Sequence, residues 1–248
     1  AGVVPVHSIQ GPGAESPFTG QALTVRGVVV GDFLAPDELR GFFLQEEVPD
    51  DAPATSEGIF IYHDQTDVRI GDRVELTGEV AEYHGLTEMT GVRNLLIRQR
   101  DADPPPPAEL RLPLSSIADP ERFEGMRVRL PQTLTVSDIG TLAPYGSAVL
   151  SHGRPMQPTA VAAPGEDARA MADANALNRL ILDDGATVVD PVPIPYPPPG
   201  MSADAPLRTG YTVTGLTGVL DYSFGEYRFH PTQPVDFETA ANPRNDHP

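Results

Sequence analysis

The sequence predicts a mainly β protein: two OB-fold-like five-stranded Greek-key barrels in tandem, with a short helix and a long insertion in the second. Three observations predict it. Five segments in the first hundred residues carry strand patterns between Gly-, Pro- and Asp-rich turns. One strand-and-turn pattern occurs twice, as GDRVELTGEVAEYHGLTEM at 71–89 and GYTVTGLTGVLDYSFGEYRF at 210–229. Between the copies lies DADPPPPAEL at 101–110, whose prolines Pro104–Pro107 favour a stiff extended spacer. The expected division is a first barrel over 1–103, a spacer over 104–109, a second barrel over 110–241 with an insertion at about 140–200, and a tail over 242–248.

Each copy of the repeat opens on a glycine, Gly71 or Gly210, followed by Val74 or Val213 and by Thr77-Gly78 or Thr217-Gly218. A tyrosine, Tyr83 or Tyr222, and a turn glycine, Gly85 or Gly225, complete it. The second copy carries one extra residue between Val213 and Gly218, the sequence mark of a β-bulge. Glycine within a strand marks a bulge or sharp bend, so Gly78 and Gly218 are expected at equivalent bends of two barrels.

The elements follow in order. QALTVRGVVVGDF (21–33) alternates and then becomes continuously apolar, as a bent strand does; GFFLQE (41–46) and EGIFIYH (57–63) are short strands. DRVELTGEVAEY (72–83) is a long alternating strand, and NLLIRQ (94–99) closes the first set. In the second half, 126–130, TLTVSD (133–138) and SAVLSH (147–152) read as strands. EDARAMADANALNRLILDDG (166–185) spaces Ala170, Ala174, Leu177 and Ile181 as a helix would, with Gly185 as its end. Five strands with a bent first strand point to the OB-fold.

The chain has 248 residues, 40% hydrophobic and 21% charged, ordinary for a globular protein. It has no cysteine, which excludes disulfides, thiol chemistry and cysteine-held zinc. No apolar run approaches the roughly 20 residues of a membrane helix. The net charge is −18, and all 17 basic residues are arginine. Such a charge suits solubility or divalent cations and opposes strong unaided binding to duplex DNA.

HSIQGPGAESPFTGQALTVRGVVVGDF, GFFLQEE, ATSEGIFIY, VRIGDRVELTGEVAEYHGLTEM, NALNRLILDDG and LRTGYTVTGLTGVLDYSFGEYRFHPTQPVDFETAANPR together resemble the N-terminal region of large secreted bacterial endonucleases of the ExeM/NucH type. There a YhcR-like OB-fold region precedes a catalytic domain of the endonuclease/exonuclease/phosphatase superfamily. The likeness runs over roughly residues 5–244 and lies in the order and spacing of several motifs. It implies a secreted or cell-surface bacterial location, and a catalytic domain of the same polypeptide, beginning just beyond a segment like AANPR, as partner. It also implies that RLILDD is a strand rather than the end of a helix.

No catalytic signature accompanies it. The Ser-Asp-His of that superfamily is absent, as are G-x-S-x-G, H-E-x-x-H and a phosphate loop with its lysine. The expected role is therefore non-catalytic: help in binding DNA, weakly and as single strands, or in positioning the catalytic domain. The alternatives are a docking module stabilised by calcium and an oligosaccharide-binding OB module. Candidate nucleic-acid residues are Phe43, Tyr62, Tyr83 and His84 for stacking, with Arg93 and Arg98 for phosphates. Packing in a core is the alternative for each aromatic, and salt bridging for each arginine. Glu46, Glu47, Asp50 and Asp51 form the calcium candidate, against a solvated acidic loop. Asp183 and Asp184 before Gly185 read as a β-turn or a second acidic site. No other cofactor is expected.

Overall fold

The structure is a computed structural model and describes residues 2–50 and 52–239. A short helix α1 (Val6–Gln10) precedes strands β1 (Ala22–Phe33), β2 (Gly41–Gln45), β3 (Gly58–Tyr62), β4 (Arg73–Tyr83) and β5 (Leu86–Gln99). These close into a barrel in the order β1-β2-β3-β5-β4, with β1 returning to pair β4. All the pairings are antiparallel except β3 with β5.

The remaining strands are β6 (Ala108–Glu109), β7 (Arg127–Asp138), β8 (Ala148–Ser151), β9 (Leu180–Leu182), β10 (Thr212–Ser223) and β11 (Glu226–Pro231). Helices α2 (Leu142–Tyr145), α3 (Pro158–Val161) and α4 (Glu166–Leu177) fall between β7 and β9. The strands form a six-stranded sheet ordered β10-β11-β9-β8-β7-β6, in which β10 also pairs β7. The circuit β7-β8-β9-β11-β10 thus repeats that of the barrel, with a parallel pairing at the same place, β9 with β11.

Alternation explains the barrel. Val25, Val29, Phe42, Leu44, Ile59, Ile61, Leu76 and Met89 point inward and share one core with Val6 and Ile9 of α1. A second core, with Leu130, Leu134, Leu150, Leu182, Leu220 and Phe229 at its centre, fills the other sheet. Burial of such side chains, about 1.5–3 kcal/mol each, is the main force holding both.

Several strand bounds differ from the sequence reading. β5 begins at Leu86 rather than 94, because a two-residue turn returns the chain straight into pairing. β7 is one strand over the two expected. Its Pro131 is accommodated because pairing steps from Leu130↔Leu216 to Thr133↔Thr214, leaving Pro131, Gln132 and Gly215 outside the ladder. Gly215 has φ 72 and is the extra residue of the second repeat. The helix α4 ends at Leu177, and Ile181 is already in β9.

The turns correct the pairing of the two tyrosines. Both hairpins turn through two positive-φ residues, His84 (53°) and Gly85 (93°) in one, Phe224 (54°) and Gly225 (79°) in the other. Tyr83 is therefore matched by Ser223, and Tyr222 by Glu82. The bulge at Gly215 shifts the second copy by one residue. Gly78 and Gly218 both lie within strands, where a side chain would strike the neighbouring strand at Thr90 or His230.

Candidate functional site at the joint of the two sheets

Strand alternation decides where the predicted aromatics go. Phe42 points into the barrel, so Phe43 points out. Outside, however, lies the second sheet: Phe43 is 0% exposed and clusters with Val30, Phe33, Phe60 and Leu86 against Val219 of β10. Phe43 is therefore not available for stacking on bases. The His230 ring of β11 lies against both Phe33 and Phe43, at 5.3 and 6.3 Å. Gly31 meets Val219 and Gly58 meets Gly125 so closely that neither has room for a β-carbon.

Directed hydrogen bonds fix the joint. Ser56 Oγ donates to the Glu124 carbonyl (2.6 Å), and Gln45 Oε1 accepts from the Arg127 N–H (2.9 Å). Thr187 N–H donates to the Asp37 carbonyl (2.7 Å), so the segment after β9 also reaches the barrel.

The joint holds acidic side chains with little to neutralise them. Glu124 is 0% exposed; its Oε1 accepts from Thr87 N–H (3.0 Å) and its Oε2 has no partner. Burial pushes its carboxyl well up, with Glu121, Asp221 and Glu82 adding repulsion. Glu88 rises from 4.5 to about 7, through burial and then the charges of Asp221 and Glu82. Glu82 accepts from Ser16 N–H and Thr87 Oγ1, and its second oxygen is unpaired. His230 is different. Burial alone would lower it, but its hydrogen bond to Asp221 (3.3 Å) and the charges of Asp183 and Asp221 outweigh that and raise it.

The remaining predicted residues are dispersed. Tyr83 (61% exposed) and His84 touch at the hairpin tip, ring centres 4.6 Å apart. Tyr62 borders a small hollow of about 270 Å³ with His63 and the Arg40–Asp64 ion pair. Arg93 is exposed and, among the described residues, unpaired; Arg98 is bonded to Glu75 at 2.8 Å. Among the described residues ten arginines are in ion pairs with Asp or Glu.

The calcium candidates are engaged with other groups. Glu46 accepts from His7 Nδ1 (2.5 Å) and Val6 N–H (3.0 Å), and Glu47 pairs with Arg73. Asp50 accepts from Ala52 N–H (2.9 Å) and Thr55 Oγ1 (3.2 Å); Asp51 lies outside the described residues. Among the described residues no three such side chains converge on a metal position. Asp183 and Asp184 make the turn, each accepting from the N–H two residues on, at 2.9 and 3.0 Å.

Beside the joint is an open cleft of about 770 Å³, lined from the first half by residues 12–14, Ala54 and Gly85 and otherwise by residues of the segment 114–122, by Ala176 and Arg179, and by residues of β9–β11 and their hairpin. Its floor holds Tyr222 and Tyr227, edge to face at 4.9 Å. Tyr222 packs on Gly85, where a β-carbon would come within 2.7 Å of the ring. The two repeated hairpins thus meet at this cleft. The repeat itself was the signal for Tyr222, whereas nothing in the sequence marked Glu88, Glu124 or His230.

No family model and no curated protein matches the chain. The fold defines it as a mainly β protein built on a closed five-stranded barrel and a second sheet, with no helix among the described residues long and apolar enough to cross a membrane.

Proposed function

We propose that the chain is a tandem of OB-folds that performs no chemistry and acts as a rigid docking and positioning module, of the kind that precedes the catalytic domain in secreted ExeM/NucH-type bacterial endonucleases. The repeated strand circuit supports the tandem. The observation that carries the docking role is the burial of the outer face of β2 and β3. OB-folds take nucleic acid or sugars around their middle strands. In this chain that face, with Phe43 and Phe60, is covered by β10 and β11. What it holds is the neighbouring barrel, so the pair forms one stiff body able to set the place of a further domain. Among the described residues ten arginines are already paired with acids, and the net charge of −18 opposes a phosphate backbone.

A second reading, weak contact with single-stranded DNA, is favoured by one observation: Tyr83 and His84 stand exposed together on a hairpin. Base stacking there is worth about 1–3 kcal/mol per ring, too little for tight binding without phosphate contacts.

The test titrates the purified chain with a fluorescent single strand, a duplex and a separately produced endonuclease/exonuclease/phosphatase-type domain. Docking predicts saturable binding of the domain and no cleavage of either DNA with magnesium, manganese or calcium. Metal-dependent cleavage that survives repurification would end the non-catalytic reading. Tight single-strand binding without domain binding would replace docking by the second reading.

A further inference from the structure

The cleft between the two hairpins has its own chemistry, independent of the nuclease reading. Its floor is the Tyr222–Tyr227 pair, and Ile117, 60% exposed, stands on its wall. Ile117 and the two rings give the cleft a contiguous apolar surface that a ligand face can cover. The volume, about 770 Å³, lies within the range of sites that enclose organic ligands.

Its charges select the ligand. The cleft has two guanidinium groups, and each is already neutralised: Arg122 Nε donates to Asp119 (3.2 Å), and Arg179 pairs with Glu226. Glu121, the remaining lining carboxylate, accepts from the Tyr227 hydroxyl at 2.5 Å and is raised by burial toward its uncharged form. A phosphate chain finds no free cation here, and a basic peptide finds no free carboxylate. What remains is a set of fixed donors and acceptors, the Arg122–Asp119 and Arg179–Glu226 pairs, in the same cleft as two tyrosine rings. That combination matches a molecule with vicinal hydroxyls on its edge and C–H groups on its face. Carbon–hydrogen faces pack on aromatic rings, and paired guanidinium and carboxylate groups supply donors and acceptors side by side.

We infer that the cleft between the β4–β5 and β10–β11 hairpins is a binding site for a neutral oligosaccharide, with the pyranose faces on Tyr222 and Tyr227 and the hydroxyls on the Arg122–Asp119 and Arg179–Glu226 pairs. Neither half of the chain makes the cleft alone, because Gly85 and Ala54 close one side of it and β10–β11 the other. The site would exist only while the joint is closed.

The chain has no tryptophan and seven tyrosines, two of them in the cleft, so the part of the tyrosine emission that reports on the cleft is isolated by comparison with Tyr222→Phe. The full chain is titrated with cellohexaose, maltohexaose and chitohexaose, with a thymidine hexanucleotide as the anionic probe, and binding is read by tyrosine emission and by calorimetry. At least one hexasaccharide is expected to saturate, with no dependence on salt, while the hexanucleotide does not compete. Ile117→Ala, on an exposed side chain, is expected to weaken binding several-fold with an unchanged melting curve. Tyr222→Ala is expected to weaken it about tenfold or more, with Tyr222→Phe close to the parent, a tenfold change being about 1.4 kcal/mol. The inference is overturned if none of the three hexasaccharides binds at millimolar concentration. It is equally overturned if binding is unaffected by Ile117→Ala and Tyr222→Ala together, or if the hexanucleotide displaces the sugar.

Discussion

Glu88→Gln is expected to stabilise the protein at neutral and alkaline pH and to do almost nothing in acid. Glu88 is 7% exposed, and Asp221 and Glu82 face it from β10 and β4. Its carboxyl titrates near 4.5 in the unfolded chain and at about 7 in the folded one. Between those values the folded state binds the extra proton, so stability falls as pH rises from about 4.5 to 7 and the penalty is constant above that. At about 1.4 kcal/mol per unit, the full penalty is about 3 kcal/mol, trimmed toward 2 by the edge of the side chain that water still reaches. Glutamine keeps the shape and cannot ionise, so the variant lacks this slope. Glu124 and His230 add slopes of the same sign: an acid raised by burial is increasingly penalised as it ionises, and a raised histidine loses its contribution as pH climbs through its folded value. Asp64 and Glu75 are lowered by their arginine partners and act the other way, below their ordinary values, in parent and variant alike. The assay is urea unfolding of both proteins from pH 4 to 9. Curves that differ by less than about 0.5 kcal/mol at every pH, or a gain confined to pH 4, would refute the argument.

Other outcomes follow from the same geometry. Gly58→Ala places a methyl inside the Gly125 backbone and should cost about 3 kcal/mol or more in urea unfolding, where the exposed Gly13→Ala costs under 1. Phe42→Ala leaves a void in the first core and should cost about 3–5 kcal/mol by the same measurement. Removing the exposed Arg98–Glu75 pair by Arg98→Ala should change stability by less than about 1 kcal/mol, and still less at high salt. Calcium at millimolar concentration should leave the melting temperature unmoved, since Glu46, Glu47 and Asp50 are each bonded within the fold.

The strands of the first barrel were legible because their two faces meet different solvents, and burial on one face writes alternation into the sequence. β5 was legible only in its last six residues, 94–99. Glu88 is buried on the joint face with Leu86, and Thr87 on the opposite face with Met89, so polar residues break the apolar beat on both faces. The same cause hid the site. Glu88, Glu124 and Asp221 look like ordinary surface acids in a chain of net charge −18, and only tertiary packing makes them buried. Phe43 illustrates the converse. Alternation correctly turned it away from Phe42, but whether the outer face meets water or another barrel is not a property of one strand. The repeat was aligned correctly at its glycines, Gly78 with Gly218 and Gly85 with Gly225, but not at its tyrosines, because the one-residue bulge at Gly215 matches Tyr83 to Ser223.

The aromatic face shared between the two sheets has a consequence for any division of the chain. Two sheets joined by a proline run could in principle be separated and carried apart. Here each sheet covers the other's apolar side, Phe43 and Phe60 on one and Val219 on the other. Cutting the chain at the proline run would yield two fragments, each with an uncovered apolar wall and a tendency to clump. Each sheet therefore relies on the other to keep its apolar face from water.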